Sequence, residues 1–399
     1  MPPRPPIPKA IWALGFVSLL MDVSSELVHS LLPMFMVTVL GASGLVVGLI
    51  EGLAEATALI VKVFSGVLSD VMRKRKPLAV FGYSLGALAK PLFALASTLD
   101  MVLTARLIDR VGKGLRGAPR DALVADIAPP AVRGAAFGLR QSLDTVGAAI
   151  GPLLAVGLML LWANDFRAVF WVAIVPGVLA VALLVFGVRE PARAAGGVGA
   201  ASINPLRREH LRRLPRGYWW VVALGAVFTL ARFSEAFLVL RFAQAGLPLA
   251  ATPLVLVGMN IVYAIAAFPC GRLADRVDRR WLLAGGLLVL IAADIALAQD
   301  ASWPALIAGI ALWGLHMAMT QGLLAAMVAD TAPADLRGTA FGLFNLMSGV
   351  ALLLASVLAG ALWDTRGAAA TFYAGAAFCV AALVLTCLTK LRRASASVE

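Results

Sequence analysis

The segment A-D-I-A-P-P-A-V-R-G-A-A-F-G-L, residues 125–139, recurs as A-D-T-A-P-A-D-L-R-G-T-A-F-G-L at residues 329–343, with ten of fifteen positions identical at an offset of 204. A second pair, G-V-L-S-D at 66–70 and G-R-L-A-D at 271–275, follows the same order at an offset of 205. Two matches at nearly one spacing mark a duplicated chain. Whatever the first half folds into, the second half repeats.

Composition fixes the solvent of that repeat. Hydrophobic residues make up 61% of the 399 positions and charged residues only 14%, against about 25% in soluble domains. Mean hydropathy is +0.90. A helix needs about 20 apolar residues to cross a bilayer, and runs of that length recur throughout. The spanning elements are expected to be helices, since backbone groups in lipid must be bonded internally. Apolar runs between charged or turn-rich breaks give twelve spans, near 11–40, 44–69, 78–98, 101–123, 134–162, 166–188, 218–243, 250–272, 281–298, 303–329, 338–363 and 370–389. The expected fold is therefore an all-α membrane protein of two parallel six-helix repeats, related by an axis along the membrane normal. The interface between them is the natural place for a substrate.

The net charge of +12 would suggest nucleic acid in a soluble protein, but here the basic residues lie between apolar runs, and no nucleic-acid partner is expected. They fall on alternate connections: Arg73, Lys74, Arg75 and Lys76 after the second span, Arg116, Arg120 and Arg133 after the fourth, and Arg272, Arg276, Arg279 and Arg280 after the eighth. The positive-inside bias puts that side, and both termini, in the cytoplasm of a cell whose inner membrane holds the protein as a multi-pass chain. The expected organisation is a tail at 1–10, a bundle at 11–188, a cytoplasmic linker at 189–217 carrying G-G-V-G and R-R-E-H-L-R-R-L-P-R, a second bundle at 218–389 and a tail at 390–399. The proline-rich start M-P-P-R-P-P-I-P-K is read as a solvated tail and not a cleaved signal. Tyr218, Trp219, Trp220 and Trp303 are read as interface anchors. Cys270, Cys379 and Cys387 lie in apolar segments and suggest buried thiols.

Charge inside the apolar runs carries the functional reading. An ionised side chain at the bilayer centre costs at least about 2.5–3.5 kcal/mol, so each implies a partner, a watery cavity or a function. Asp22, Glu26 and His29 are spaced i, i+4, i+7 and form one stripe of the first span. Glu51, Glu55 and Lys62 share a face of the second span. Arg106, Asp109, Arg110 and Lys113 form a stripe on the fourth, Arg140 and Asp144 lie on the fifth, and Arg232 and Glu235 on the seventh. Acids and bases nearly balance, which leaves the substrate's charge open. In the tenth span, H-M-A-M-T-Q from His316 to Gln321 offers soft ligands that would suit copper(I), with packing as the alternative. No metal site and no cofactor are assigned.

On these residues the chain resembles the major facilitator superfamily along essentially its whole length. Gly66 to Lys76, with Asp70 followed by Arg73 and its basic neighbours, is similar to that family's signature between spans two and three. Gly271, Asp275 and Arg276 stand in the second copy. The resemblance implies that these residues form a conformational gate, the aspartate closing the cytoplasmic side against a neighbouring helix N-terminus and an arginine. Arg73 and Asp278 replace the usual second glycine. Arg106 matches the arginine of the family's fourth-span motif, with Asp109 and Arg110 in place of the usual glutamine and glycine. Gly138, Gly147, Gly151 and Pro152 resemble the fifth-span motif of proton-coupled exporters, without its closing glycine pair; close helix packing is the other reading of these residues.

The family's first, fourth, seventh and tenth spans line its cavity, which implies cavity roles for Glu55, Arg106, Asp109, Arg110, Arg232, Glu235, His316 and Gln321. Asp22, Glu26 and His29 are the proton-coupling candidates. The alternative for the acids is permanent pairing of Asp22 or Glu26 with Arg106 or Arg110. The resulting expectation is a secondary active transporter of a small molecule or ion, an antiporter driving efflux with protons, acting as a monomer in the lipid bilayer. The alternatives are a proton-coupled importer, including one for a metal or metal chelate, and a non-transporting sensor of the same fold. No G-x-x-x-x-G-K-[ST] loop is present, and His29, His210 and His316 do not fall into an H-E-x-x-H spacing, so neither ATP-driven transport nor an enzyme is expected.

Overall fold

The computed structural model describes residues 6–72, 74–129, 132–190, 213–274, 277–299, 302–320, 323–333 and 336–388. Among these the helices form twelve spans. Span 1 comprises Lys9–His29 and Leu32–Thr38, span 2 Gly44–Met72, span 3 Arg75–Leu95, span 4 Leu99–Ile127, span 5 Arg133–Leu161, and span 6 Phe166–Val172 with Ile174–Gly187. In the second half, span 7 comprises Arg216–Leu230 and Ala236–Gln244, span 8 Leu254–Ala274, span 9 Arg279–Ala298, span 10 Trp303–Thr320, span 11 Arg337–Arg366 and span 12 Ala368–Leu388. Ten of the twelve are long and apolar enough to cross a membrane. The exceptions have physical causes: span 4 is crowded with charge, and span 7 is broken.

The duplication reaches into the turns. Gly41 after span 1 and Gly246 after span 7, 205 positions apart, both adopt positive φ (68° and 89°). Ala163 after span 5 and Gly367 after span 11, 204 apart, do the same (50° and 85°). The paired spans 1 and 7 are also interrupted at matching depth. In span 1, Pro33 has no N–H to give and the helix restarts around it. Span 7 has no proline in its break at 231–235. There Ser234 accepts the Ala236 N–H through its hydroxyl (3.3 Å), offering the backbone a local substitute for helix, while its own N–H goes across to Ser356 Oγ on span 11 (3.2 Å).

Several sequence expectations change. Span 4 continues to Ile127, so Arg116 and Arg120, expected on the following connection, lie within the helix, where a membrane-length rod is extended by charged turns. Tyr218 is no interface anchor: it is fully buried and donates to the Ala340 carbonyl (2.9 Å), because its ring packs into the core beneath span 11. Arg73, Asp275, Arg276 and Gln321, residues 191–212 of the linker, and residues 1–5 and 389–399 lie outside the described residues. Gly66 and Asp70 are described only as part of the span 2 helix.

The halves meet along spans 2 and 11, which run antiparallel in contact from Gly44 to Val63 on one side and from Gly342 to Asp364 on the other. Small residues allow this. A Cβ on Gly48 would overlap the Ser356 carbonyl, one on Gly360 would overlap that of Gly44, and one on Gly52 would lie 3.1 Å from Leu353. At the face away from the chain termini the seam is closed by charge. Asp364, near the end of span 11, accepts the N–H groups of Gly44 (2.7 Å) and Leu45 (2.8 Å), two unsatisfied donors at the start of span 2.

Replacing Gly48 by Val should overpack this seam and cost about 1–3 kcal/mol or more. The expected readout is a lowered melting temperature in detergent, with Gly138→Val, where nothing lies within 4 Å of a new Cβ, as the harmless control. Equal melting of the two variants would contradict the backbone contact.

Candidate functional site

The stripe on span 1 faces a stack of charges from spans 2 to 5. His29 Nδ1 lies 3.5 Å from Glu26 and its Nε2 lies 3.5 Å from Glu51, so the imidazole bridges an acid on its own helix and one on span 2. Glu51 accepts Arg106 Nη2 at 2.5 Å, and one turn along both helices Glu55 forms an ion pair with Arg110 Nη2 at 3.1 Å. The i, i+4 spacing of Glu51 and Glu55 thus meets the i, i+4 spacing of Arg106 and Arg110. Spans 3 and 4 approach closely through Gly82 and Gly112, and above that contact Lys90 reaches Asp109 (2.7 Å) and Ser25 on span 1 (3.2 Å). Lys90 and Asp109 are both buried.

Wetness changes along this stack in one direction. On span 2, the Glu51 side chain is 0% exposed and Glu55 30%, and Lys62 beyond them is exposed. On span 4, Arg106 and Arg110 are 2% and 5% exposed, and Lys113 beyond them is exposed. Both helices run toward the face that carries the termini, so the charged crevice between them grows more exposed toward that face, with Glu51 and Arg106 at its buried end.

Nearer the mouth a second network joins spans 1, 4 and 5. Arg120 donates to Ser18 (3.1 Å) and Asp121 (3.2 Å) and lies 3.7 Å from Asp144, which pairs with Arg140 on its own helix. Arg140 also lies 3.6 Å from Asp121. Arg75 pairs with Asp126 (2.8 Å), and the Arg116 guanidinium sits over the Tyr83 ring at 5.1 Å.

One acid stands apart. Asp22 makes no hydrogen bond or ion pair among the described residues, although Asp144, Arg116, Arg120 and Lys113 surround it. Span 5 packs onto span 1 at this level: a Cβ on Gly147 would lie 2.6 Å from the Leu19 carbonyl and 3.1 Å from Asp22 Cβ, and one on Gly151 would lie 2.8 Å from Glu26 Cβ. Gly138, grouped with them in the sequence, touches nothing within 4 Å. The pairing of Asp22 or Glu26 with Arg106 or Arg110 is not what forms. Span 2 supplies the carboxylates for both arginines, because its stripe faces span 4 directly.

The second half contributes less charge. Arg232 and Glu235 lie in the break of span 7, half-buried and without an ion pair among the described residues; Arg232 sits 6.0 Å from the Phe228 ring centre. His316 is sealed rather than exposed to the crevice: Nδ1 meets the Gly286 carbonyl at 2.8 Å and the ring lies against Phe228. Lys90 is the site residue that sequence reasoning passed over, and a lone lysine in the middle of an apolar run was the available signal. Its partner, Asp109, sits a helix away.

Two pseudo-symmetric six-helix bundles, the first holding a stack of ionisable side chains, are the architecture of a membrane transporter. The family model described as Major Facilitator Superfamily matches residues 14–259 and 236–399. An uncharacterized MFS-type transporter of Methanocaldococcus jannaschii is 33% identical over 363 residues, covering 89% of this chain and 88% of that protein. Multidrug resistance protein MdtH of Photorhabdus laumondii is 33% identical over 156 residues, covering 39% and 38% of the two chains. Among solved structures, a bacterial homolog of the human lysosomal transporter Spinster, in an inward-facing and occupied conformation, aligns over 95% of each chain with a TM-score of 0.78 at 17% identity. This chain belongs to the Major Facilitator Superfamily. It is a multi-pass membrane transporter of small-molecule substrates and not an enzyme.

The dry end of the crevice gives a test. Removing one member of a buried pair strands the other charge and costs about 3–5 kcal/mol, whereas removing both costs less. Arg106→Met and Glu51→Gln should each lower the melting temperature sharply, and the double variant should melt above the Arg106→Met single. Additive losses would contradict the pair.

Proposed function

We propose that the protein exports a small solute across the cell inner membrane in exchange for protons, with both termini cytoplasmic and the crevice facing the cytoplasm in this conformation. The bundles at 11–188 and 218–389 are the two rocking units, and Asp70 and Asp275 are the gate residues that the family resemblance implies. The observation that carries the reading is the contact of Gly147 and Gly151 with the Asp22–Glu26 face of span 1. A residue pair that resembles the exporter motif thereby touches the helix that holds Asp22, an acid of the stack without a direct partner among the described residues.

The chemistry follows from that arrangement. Glu26, Glu51 and Glu55 each face a cationic or protonatable partner, so protonating any of them breaks a contact. Asp22 has none to break, and it lies in reach of Lys113, Arg116 and Arg120. A carboxylate whose surroundings alternate between water and nearby cations changes its proton affinity with conformation, and that alternation couples proton flow to rocking. His29, between Glu26 and Glu51, is the group suited to pass a proton deeper. Export is further supported by the likeness, over 156 residues, to a multidrug resistance protein. The basic connections on the terminus-bearing face support the orientation.

The test uses inside-out vesicles carrying a pH gradient read by a gradient-sensitive dye, challenged with a panel of amphipathic cations, organic anions and neutral solutes. At least one solute should discharge the gradient through the parent protein. Asp22→Asn should slow that discharge by about tenfold or more, equivalent to about 1.4 kcal/mol in the barrier. Lys62→Gln, at the exposed end of the same crevice, should leave the rate nearly unchanged. Discharge by Asp22→Asn at the parental rate would overturn the assignment.

A further inference from the structure

One buried acid takes no part in the crevice. Asp294 lies in the middle of span 9, 0% exposed, and neither carboxylate oxygen has a hydrogen-bond partner. Its surroundings are close and apolar. A Cβ placed on Gly375 of span 12 would lie 2.8 Å from Asp294 Oδ2 and 3.1 Å from Phe233, whose ring packs against Trp313 and Phe372 at 5.6 and 5.5 Å between centres. Trp313, also buried, holds an indole N–H with no acceptor.

The internal repeat explains why an acid at this point is unusual. At the offset of 204 that relates the duplicated segments, Asp294 corresponds to Lys90 and Trp313 to Asp109. In the first half those two positions hold the 2.7 Å Lys90–Asp109 pair, which neutralises both charges between spans 3 and 4. In the second half the lysine is replaced by an acid and the acid by an indole, so the seam between spans 9 and 10 holds a carboxyl group with no counter-ion. Cys379 on span 12 lies within electrostatic range of both Asp294 and Arg232 in the span 7 break, and Arg232 in turn is near Glu235, Tyr263 on span 8 and His316 on span 10. None of them is bonded to it. An unpaired carboxylate in so dry a place is costly, and a bound proton removes that cost.

We infer that Asp294 is a second proton-binding site, holding its proton as a neutral carboxylic acid in this conformation. It is separate from Asp22 and does not depend on the export reading. The proton leaves only to water or to a base that reaches the seam, and the carboxylate left behind needs a cation. Arg232, in the helix break next to Phe233 and without an ion pair among the described residues, is the cation at hand when span 7 moves.

Infrared spectroscopy of the purified protein in lipid at neutral pH reads the proton directly. The parent should show the carbonyl stretch of a protonated carboxylic acid that shifts in D2O and on labelling aspartate with carbon-13. That band should persist in Asp22→Asn and disappear in Asp294→Asn, whose neutral side chain should leave the melting temperature within a few degrees of the parent. If Asp294→Asn does not fold, Asp294→Glu serves: the band should remain but lose its response to labelled aspartate. An unaltered band in Asp294→Asn, or an aspartate-sensitive band unchanged in Asp294→Glu, or no protonated carboxyl in the parent, would overturn the proposal. Persistence of the band in Asp22→Asn together with a failed gradient assay would leave this site standing and remove only the coupling role of Asp22.

Discussion

The Glu51–Arg106 ion pair is the constraint on which the rest of the first half depends. It sits at the dry end of the crevice, where a lone charge of either sign would be costly, and His29 ties it to span 1. Span 2 is also the helix that packs against span 11 of the other half. A single contact therefore joins the helix that forms the interdomain seam to the helices that carry the ionisable stripe. A buried pair of this kind adds little net stability, but it fixes which faces of spans 1, 2 and 4 meet, and so where the water stops.

The two halves share a fold and differ in what fills it. In the first, salt bridges hold spans 1 to 5 together in layers from Glu51 outward to Arg140. In the second, the corresponding volume is packed by Phe233, Phe237, Trp313 and Phe372, with Arg232 and Glu235 in the broken span 7 and a buried acid at Asp294. Rocking asks for two units that stay rigid and an interface that can part. Glycine contacts along spans 2 and 11, with Asp364 clasping the far end through two backbone N–H groups, make an interface that is close but carries few strong bonds.

Much of this was legible in the sequence, for reasons that can be named. The spans follow from hydropathy, and the repeat follows from residues 125–139 and 329–343. The stripe of Asp22, Glu26 and His29 follows from helical spacing, which fixes a face even when the fold around it is unknown. What the face meets is another matter: Arg106 takes its carboxylate from span 2, and no local pattern encodes that choice. The break in span 7 has neither proline nor glycine to announce it, since a serine and a hydrogen bond to span 11 produce it. Arg116 and Arg120 read as loop residues because charge normally ends a membrane helix, and here span 4 keeps them inside by giving them Tyr83 and Ser18 as partners. Gly147 and Gly151 were recognisable as contact residues, yet only the packing distinguishes them from Gly138.

The central claim is that water enters from the terminus-bearing face and ends at the Glu51–Arg106 level. With Cys270, Cys379 and Cys387 replaced, single cysteines at positions 113 and 102 can be challenged with a membrane-impermeant thiol reagent from each side of oriented vesicles. A cysteine replacing Lys113 should react from the terminus-bearing face alone, and one replacing Val102, buried on the far side of Arg106, should react from neither. Reaction at position 113 from the opposite face, or rapid reaction at position 102, would contradict the account.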